Sequence, residues 1–516
     1  MQSPLNNLAI SFSGGGFRAT AYNLGVLSYL NQLQFNNDSL LKNVVMISTI
    51  SGGTITGVKY AACLTQGKTF EQFYKELYDF LQKDIIMDEA FKILNTPDNW
   101  QYKTKSKNLI NAVSEIYQKQ LLDDSNFGSV LDYTTKTGVE FMFNATDLEN
   151  AKPFRFQTQG KIGNFEHFVS PDYARNFRLG DIIAASSCFP GGFEPLIFPD
   201  DFINTDSKLG IELPKKINIQ DGGIVDNQGI ESIWLAEKRK TKDNNNFIGT
   251  YIISDVARKE TNTVETEKPK NGLLNWLGGF SLNTYYYVAF FILLLSIGLL
   301  IFDSSKWLIF FASILFSFSA FNVILFNLLR IKIVSLLKKT LHQKAPRFLS
   351  DFNLINKISL NEFYKLIDVR ISSILKLNQT VFLARLRQLH YDMTFDDIKW
   401  NLRTVANLIY ELPKHQNIIS TELSTHIDNA NKMDTALWFS DEEKINNLML
   451  NDLILCGQAT ICFTLKVYLE KRLMDTINPI SEEFLPNIKI VLAQLTDDFT
   501  KFNTEPNWLL DKYNKV

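Results

Sequence analysis

Val44-Val45-Met46-Ile47-Ser48-Thr49-Ile50-Ser51-Gly52-Gly53 is a β-branched apolar run that ends abruptly at a serine and two glycines. The run reads as a buried strand, and the serine as the apex of a tight strand-to-helix turn that pushes its hydroxyl into the open. Thr54 to Leu64 then carries Ile55, Val58, Ala61, Ala62 and Cys63 at helical spacing, with Gly67 as the stop. By itself the segment fits a nucleophile elbow, a plain βα turn or a phosphate cradle, because small residues serve all three.

A second strand-turn-helix lies upstream. Leu8-Ala9-Ile10-Ser11-Phe12 runs into Ser13-Gly14-Gly15-Gly16-Phe17-Arg18-Ala19, and Tyr22, Val26, Tyr29, Leu30 and Leu33 then fall at helical spacing. A glycine run at the start of a helix leaves bare amides at the positive end of the helix dipole, which makes an anion site. The spacing matches neither the dinucleotide nor the Walker pattern, so an oxyanion hole is preferred to a nucleotide phosphate site. Downstream, Ile217-Asn218-Ile219-Gln220 delivers Asp221 into Gly222-Gly223, a strand ending in a turn of the kind most often found in hairpins.

The chain has 516 residues, enough for two or three modules, and a formal net charge of -2. Charge this balanced argues against a nucleic-acid partner. Cys63, Cys188, Cys456 and Cys462 show no CxxC spacing and read as reduced core thiols, so neither a metal site nor a disulfide framework is expected. Met1 to Leu8 lacks the basic and apolar regions of a cleavable signal peptide.

Phe70, Phe73, Tyr74, Leu77, Tyr78 and Leu81 form one helical face, either core or the lining of an acyl-chain pocket. Asp84 to Asp132 is expected as helical and loop cover over the site. Val139 to Leu148 and Phe247 to Ser254 read as strands, and Arg178 to Phe193 as a small-residue helix stopped at Pro190. Beyond a polar linker, Leu282 to Phe302 and Trp307 to Leu329 contain no charged residue, and each is long enough to cross a bilayer core of about 30 Å. They read as a transmembrane hairpin. Tyr285, Tyr286, Tyr287 and Trp307 suit the interfacial belt, and Lys268, Lys270, Arg330, Lys332, Lys338 and Lys339 flank the outer ends, which places both flanks in the cytoplasm. A buried hairpin of a soluble domain is the alternative. Asn353 to Leu377, Gln379 to Leu412 and Leu448 to Leu473 have helical periodicity; His342, His390, His415 and His426 are isolated there and read as surface or satisfied core residues.

Taken together, Gly14-Gly15-Gly16-Phe17-Arg18 before a helix, Ser51-Gly52-Gly53 at an elbow and Asp221-Gly222-Gly223 after a strand resemble the motifs of the patatin-like phospholipase family. Ala145-Thr146-Asp147-Leu148 and Ala185-Ser186-Ser187-Cys188-Phe189-Pro190 look like further landmarks, and the resemblance covers about Leu8 to Val256. Thr435 to Phe439 looks like the tail of some longer bacterial members. The resemblance implies an α/β fold, a three-layer core with a mostly parallel central sheet, and a Ser-Asp dyad without histidine, metal or cofactor. Ser51 would attack a lipid ester carbonyl, Asp221 would take its proton, and Gly14, Gly15, Gly16 and Arg18 would form the oxyanion hole. There Arg18 could help hold the oxyanion loop or attract a phosphate headgroup, with a salt bridge as the plain alternative. Thr49 stands where the usual G-x-S-x-G elbow has its first glycine, with Gly53 at the last, and Ser13 stands where many members carry aspartate. Ser48 and Asp226 are the fallback nucleophile and base.

The expected organisation is a patatin-like catalytic domain (1–257), a polar linker (258–281), a transmembrane hairpin (282–329) and a helix-rich region (330–516) packing on the catalytic domain. The expected activity is a membrane-anchored, two-helix, multi-pass acyl hydrolase with cytoplasmic catalytic and C-terminal regions. Membrane phospholipid or lysophospholipid is its partner and substrate. Acyl transfer, and a catalytically silent or ligand-gated membrane effector or scaffold, are the alternatives; no residue identifies an activating ligand or a homo-oligomer contact.

Overall fold

The computed structural model describes residues 3–96, 100, 102, 104–202, 215–241, 247–257, 276, 278–302, 305–341, 357–440, 443 and 448–515. The flanking charges Lys268 and Lys270, and His342, lie outside them. Two units divide the chain: Met1–Glu260 with Val381–Val516, and Thr261–Thr380.

The first unit opens with β1 (Leu8–Phe12), α1 (Gly16–Gln32), a small hairpin of β2 (Gln34–Phe35) and β3 (Asp38–Ser39), β4 (Val44–Ile50) and α2 (Gly52–Thr65). Four helices follow, α3 (Phe70–Lys83), α4 (Ile86–Asn95), α5 (Leu109–Ile116) and α6 (Phe127–Thr137). Next come β5 (Glu140–Asp147), β6 (Lys152–Gln157), β7 (Ile162–Gly163), β8 (Phe168–Val169), α7 (Pro171–Ala174) and α8 (Leu179–Ser187). Then β9 (Leu196–Phe198), β10 (Ile217–Asp221), α9 (Ile230–Lys240) and β11 (Thr250–Asp255) complete the part before the second unit.

That second unit holds α10 (Leu282–Phe302), α11 (Lys306–Leu341) and α12 (Leu360–Lys376). The chain returns to the first unit with α13 (Leu383–Asp396), β12 (Thr404–Leu408), α14 (Thr421–Lys432), α15 (Leu448–Met474), α16 (Leu485–Thr504) and α17 (Trp508–Asn514).

Strand alternation explains the layering. Ile10, Phe12, Ile47, Phe141 and Ile252 join one core, while Ala9, Met46, Met142, Tyr251 and Ile253, their neighbours in sequence, join another. The sheet is thus buried on both faces, with α1, α2, α8 and α15 on one side and α9 on the other. Its order is β12-β11-β1-β4-β5-β6-β7-β8, with β12 through β5 all parallel and β6, β7 and β8 antiparallel. This is the expected three-layer α/β core.

One further pairing positions the site. β5 outruns β4, and its last residues pair antiparallel with β10, which occupies the space beyond the end of β4. β9 extends β10 in turn.

Three sequence expectations change. Gln379 to Leu412 is not continuously helical, because Thr404–Leu408 forms β12 and lies parallel to β11, with Tyr251 opposite Thr404 and Asp255 opposite Leu408. Five residues are too few to display a period, and only the β11 edge supplies the partner. The second long apolar helix runs on past Leu329 to Leu341, since no glycine or proline interrupts it. The chain from Val381 on belongs to the first unit and joins the sheet and the α1 face. Finally, α5 is no loose cover: Ile110 through Ile116 are buried, and Lys105 and Ser114 both bond Asp181 at the start of α8.

The aromatic face of α3 is core. Phe73, Tyr74 and Leu77 are buried, and Tyr74 stacks on Tyr513 at 4.8 Å. Thr69 and Gln72 close a reciprocal capping box at its start.

Among the described residues three helices are long and apolar enough to cross a membrane, and burial separates them. Asn283–Phe302 and Lys306–Leu328 have mean hydropathy 2.3 and are only 6% and 11% buried, whereas Met449–Met474, at 1.3, is 83% buried. The last is α15, the core helix laid against α1, so its apolar surface is already covered by protein. α10 and α11 pack on each other and leave Phe291, Leu294, Phe310, Phe318 and Phe321 exposed.

Candidate active site

β4 and β10 point their ends at each other across a single position. Ile50 pairs with Asn144 and Asp221 pairs with Ala145, so consecutive residues of β5 set the Ser51 turn and the Asp221 turn side by side. Ser51 has φ 50 and ψ -123, a conformation rare for any residue with a side chain, while Gly52 already begins α2. Such geometry costs about 1–3 kcal/mol and is held only where the surroundings enforce it.

Those surroundings are polar and buried. The Ser51 amide donates to the Ser186 hydroxyl at 2.9 Å, and Ser186 in turn donates to the Asn144 carbonyl at 2.6 Å. Ser186 also bonds Thr54 at 2.7 Å, and Thr54 bonds Thr49 at 2.9 Å. Thr49, the departure from the usual elbow, thereby becomes one end of a hydroxyl chain beneath the turn. Its bulk is accommodated on the facing helix: a Cβ on Gly57 would collide with the Thr49 Cγ2. Small size has moved from the strand to α2. Gly57→Ala is therefore expected to destabilise by about 1–3 kcal/mol through overpacking, despite the better helix propensity of alanine. Adding Thr49→Ser, which deletes the colliding methyl, should restore most of the thermal unfolding midpoint.

Asp221 is 6% exposed, and its Oδ1 accepts the Gly223 amide at 2.7 Å. Burial pushes its pKa up to about 6, although the Gly223 amide and a hydrogen bond from the Ser51 side chain hold it down. The fallback residues are otherwise engaged. Ser48 is fully buried, donating to the Gly229 carbonyl and accepting from Asn144, and Asp226 accepts the amides of Gln228, Gly229 and Glu231 at the start of α9. His390 of α13 stands 3.5 Å from Asp226 and 3.6 Å from Glu231. Burial lowers its pKa, but the Glu231 hydrogen bond and the Asp226 charge outweigh this and leave it raised. His426 bonds Asp452, and His415 lies against the Phe463 ring. The His167 ring bonds Asp147 and Asn150.

The glycine loop lies against this turn. A Cβ on Gly14 would come 3.2 Å from the Ser51 Cβ, and one on Gly52 would stand 2.6 Å from the Gly16 nitrogen. Thr20 donates to the Gly52 carbonyl at 2.8 Å and locks the first turns of α1 and α2 together. Two helix N-termini thus converge beside Ser51, a setting that favours negative charge.

Two of the four residues expected at the oxyanion hole make bonds to distant backbone. The Gly14 amide donates to the Asn227 carbonyl at 3.0 Å. The Arg18 guanidinium is 2% exposed and donates to the carbonyls of Met433, at 2.7 Å, and Val256, at 2.6 Å. It therefore clamps backbone from two distant segments against the start of α1. Gly15 and Gly16, both at positive φ, donate their amides to no acceptor among the described residues.

Thr435 to Phe439, which stood out in the sequence only as a tail, covers this loop. The Ala436 carbonyl accepts the Phe17 amide at 2.8 Å, any Cβ on Gly16 would meet the Thr435 and Ala436 backbone, and Phe439 packs on Phe17 at 5.3 Å. Together with the Arg18–Met433 bond, these contacts strap residues 433–439 across the start of α1. Ser186, Asn144 and Gly57 were missed as supports. Ser186 and Asn144 lie within runs that stood out in the sequence, but nothing local shows what they bond.

Residues 10–234 match the family described as Patatin-like phospholipase. A solved structure, Human GIVD cytosolic phospholipase A2, aligns with 12% sequence identity and a TM-score of 0.32, over 48% of this chain and 42% of that one. This chain thus spans less than half the length of that relative. No curated protein matches it. Residues 10–234 form a patatin-like phospholipase domain, the domain of a family of lipid hydrolases.

Proposed function

We propose that the protein is a membrane-anchored lipid acyl hydrolase that cleaves phospholipid or lysophospholipid esters through an acyl-enzyme on Ser51. Asp221 takes the Ser51 proton as the hydroxyl adds to the ester carbonyl, and returns it to the leaving alcohol. The amides of Gly15 and Gly16, at the start of α1, hold the charge that develops on the carbonyl oxygen. Water, activated in the same way by Asp221, releases the fatty acid. α10 and α11 span the bilayer as a hairpin, and the basic residues from Lys268 to Lys339 at its outer ends keep both flanking regions on the cytoplasmic side. Tethering raises the effective concentration of lipid substrate at the site.

The observation that supports this most is the meeting of the strained Ser51 turn with Asp221 at consecutive positions of β5. A fluorophosphonate probe reacts only with an activated serine hydroxyl, and it is expected to label the full-length protein once, at Ser51. Absence of labelling by a folded protein would instead favour a silent scaffold.

A further inference from the structure

Two turns leave the sheet at the carboxyl ends of β5 and β7, the same end at which β4 delivers Ser51. They are the β5–β6 turn (148–151) and the β7–β8 turn (164–167). Strand spacing puts the second about 15 Å to the side of Ser51. The large apolar residues on these turns and at the start of β8 face water: Phe165 is 81% exposed, Phe168 50% and Leu148 39%. Isolated exposed apolar residues are ordinary, but a group of three on two turns and the strand that follows is not.

The two turns are held as one platform. The fully buried Asp147 carboxylate accepts from Asn150 at 2.9 Å, from Asn164 at 2.9 Å and from the His167 ring at 3.1 Å, and it also caps the amides of Glu149 and Asn150. Asn164 in turn accepts the Glu166 and His167 amides. The aromatic tip therefore does not owe its exposure to fraying. Lys161 lies over both rings, its amine 4.5 Å from Phe168 and 5.5 Å from Phe165. The acidic neighbours are neutralised or occupied: Glu166 pairs with Lys152, and Glu149 accepts from Asn218.

We infer that this platform is a bilayer-docking surface, with Phe165, Phe168 and Leu148 entering the interfacial layer of a phospholipid membrane and Lys161 reaching the phosphate level. Aromatic rings with a lysine whose stem lies along them match the chemistry of that layer, apolar below and anionic above. The bilayer is favoured over a protein partner because the same chain carries α10 and α11, whose exposed apolar surfaces suit lipid. The inference deepens the lipid-hydrolase reading and rests on it for the role of docking, which is to present substrate near Ser51.

All four native cysteines are buried, so Phe165→Cys can be labelled selectively with an NBD maleimide in the full-length protein. In phosphatidylcholine–phosphatidylglycerol vesicles, the label is expected to be quenched by doxyl-phosphatidylcholine and shielded from iodide. Iodide quenching without doxyl quenching would overturn the inference, as would shielding in detergent that depends on protein concentration, which marks a second copy. The double variant Phe165→Ser/Phe168→Ser is expected to lose about tenfold on vesicle phospholipid and nothing on soluble p-nitrophenyl butyrate. Equal activity on vesicles would also overturn it. A wild-type protein that hydrolyses neither substrate would refute the hydrolase reading, and the quenching result would still decide the docking surface.

Discussion

Ser51→Ala is expected to lower fatty-acid release from phospholipid vesicles by about 10⁴-fold or more, the scale of loss when a covalent nucleophile is removed. The methyl group cannot form an acyl-enzyme, and no neighbouring hydroxyl can substitute: Ser48 is locked between Gly229 and Asn144, and Ser186 between Ser51 and Asn144. Folding should survive, because Ser186 supports the Ser51 backbone and alanine at φ 50 is strained about as much as serine. Ser51→Gly sharpens the test. It should be equally inactive yet more stable by about 1 kcal/mol, since glycine adopts this backbone freely. Release at the wild-type rate by the folded Ser51→Ala protein would end the dyad assignment.

Asp221→Asn is expected to cost about 10²–10⁴-fold in rate, the contribution of a positioned general base, and to raise the thermal unfolding midpoint at neutral pH. The sign follows from burial. The Asp221 pKa is about 6 in the folded protein against an ordinary 3.8, so between those values the native state holds a proton that the unfolded chain has lost. This contribution to stability is complete below about pH 4 and disappears as pH rises through 6. Keeping the carboxylate ionised at neutral pH then costs about 3 kcal/mol. Asparagine stays neutral, and its side-chain oxygen can still accept the Gly223 amide, so the variant should gain stability at pH 7.5 and lose that advantage near pH 4. The same titration predicts that wild-type kcat/KM falls about tenfold per pH unit below 6, as the base becomes protonated. Equal unfolding midpoints for the two proteins from pH 4 to 8 would show that Asp221 is not held ionised at a cost.

Much of the architecture was readable in the chain. Strand-turn-helix signals at Leu8–Ala19 and Val44–Leu64 each correspond to one element pair, and the charge-free runs after Leu282 became two exposed apolar helices. These features are local: a β-branched run, a glycine turn or twenty uncharged residues carry their own physical preference. The reading failed where an element depended on a distant partner. Thr404–Leu408 is a strand only because β11 offers it an edge.

Sequence alone thus determined the residue types at the site, Ser51 after a strand, glycines before α1 and Asp221 after β10, because turn chemistry and strand pattern act over a few neighbours. The tertiary structure decided which of them work together. Arg18 was fixed on the carbonyls of Val256 and Met433, and the Gly14 amide was taken by Asn227. Thr49 was made tolerable by Gly57 and useful by Thr54 and Ser186. Each of those outcomes depends on a hydrogen bond or a close contact between segments far apart in the chain, and such pairings exist only once the sheet and its covering helices have packed.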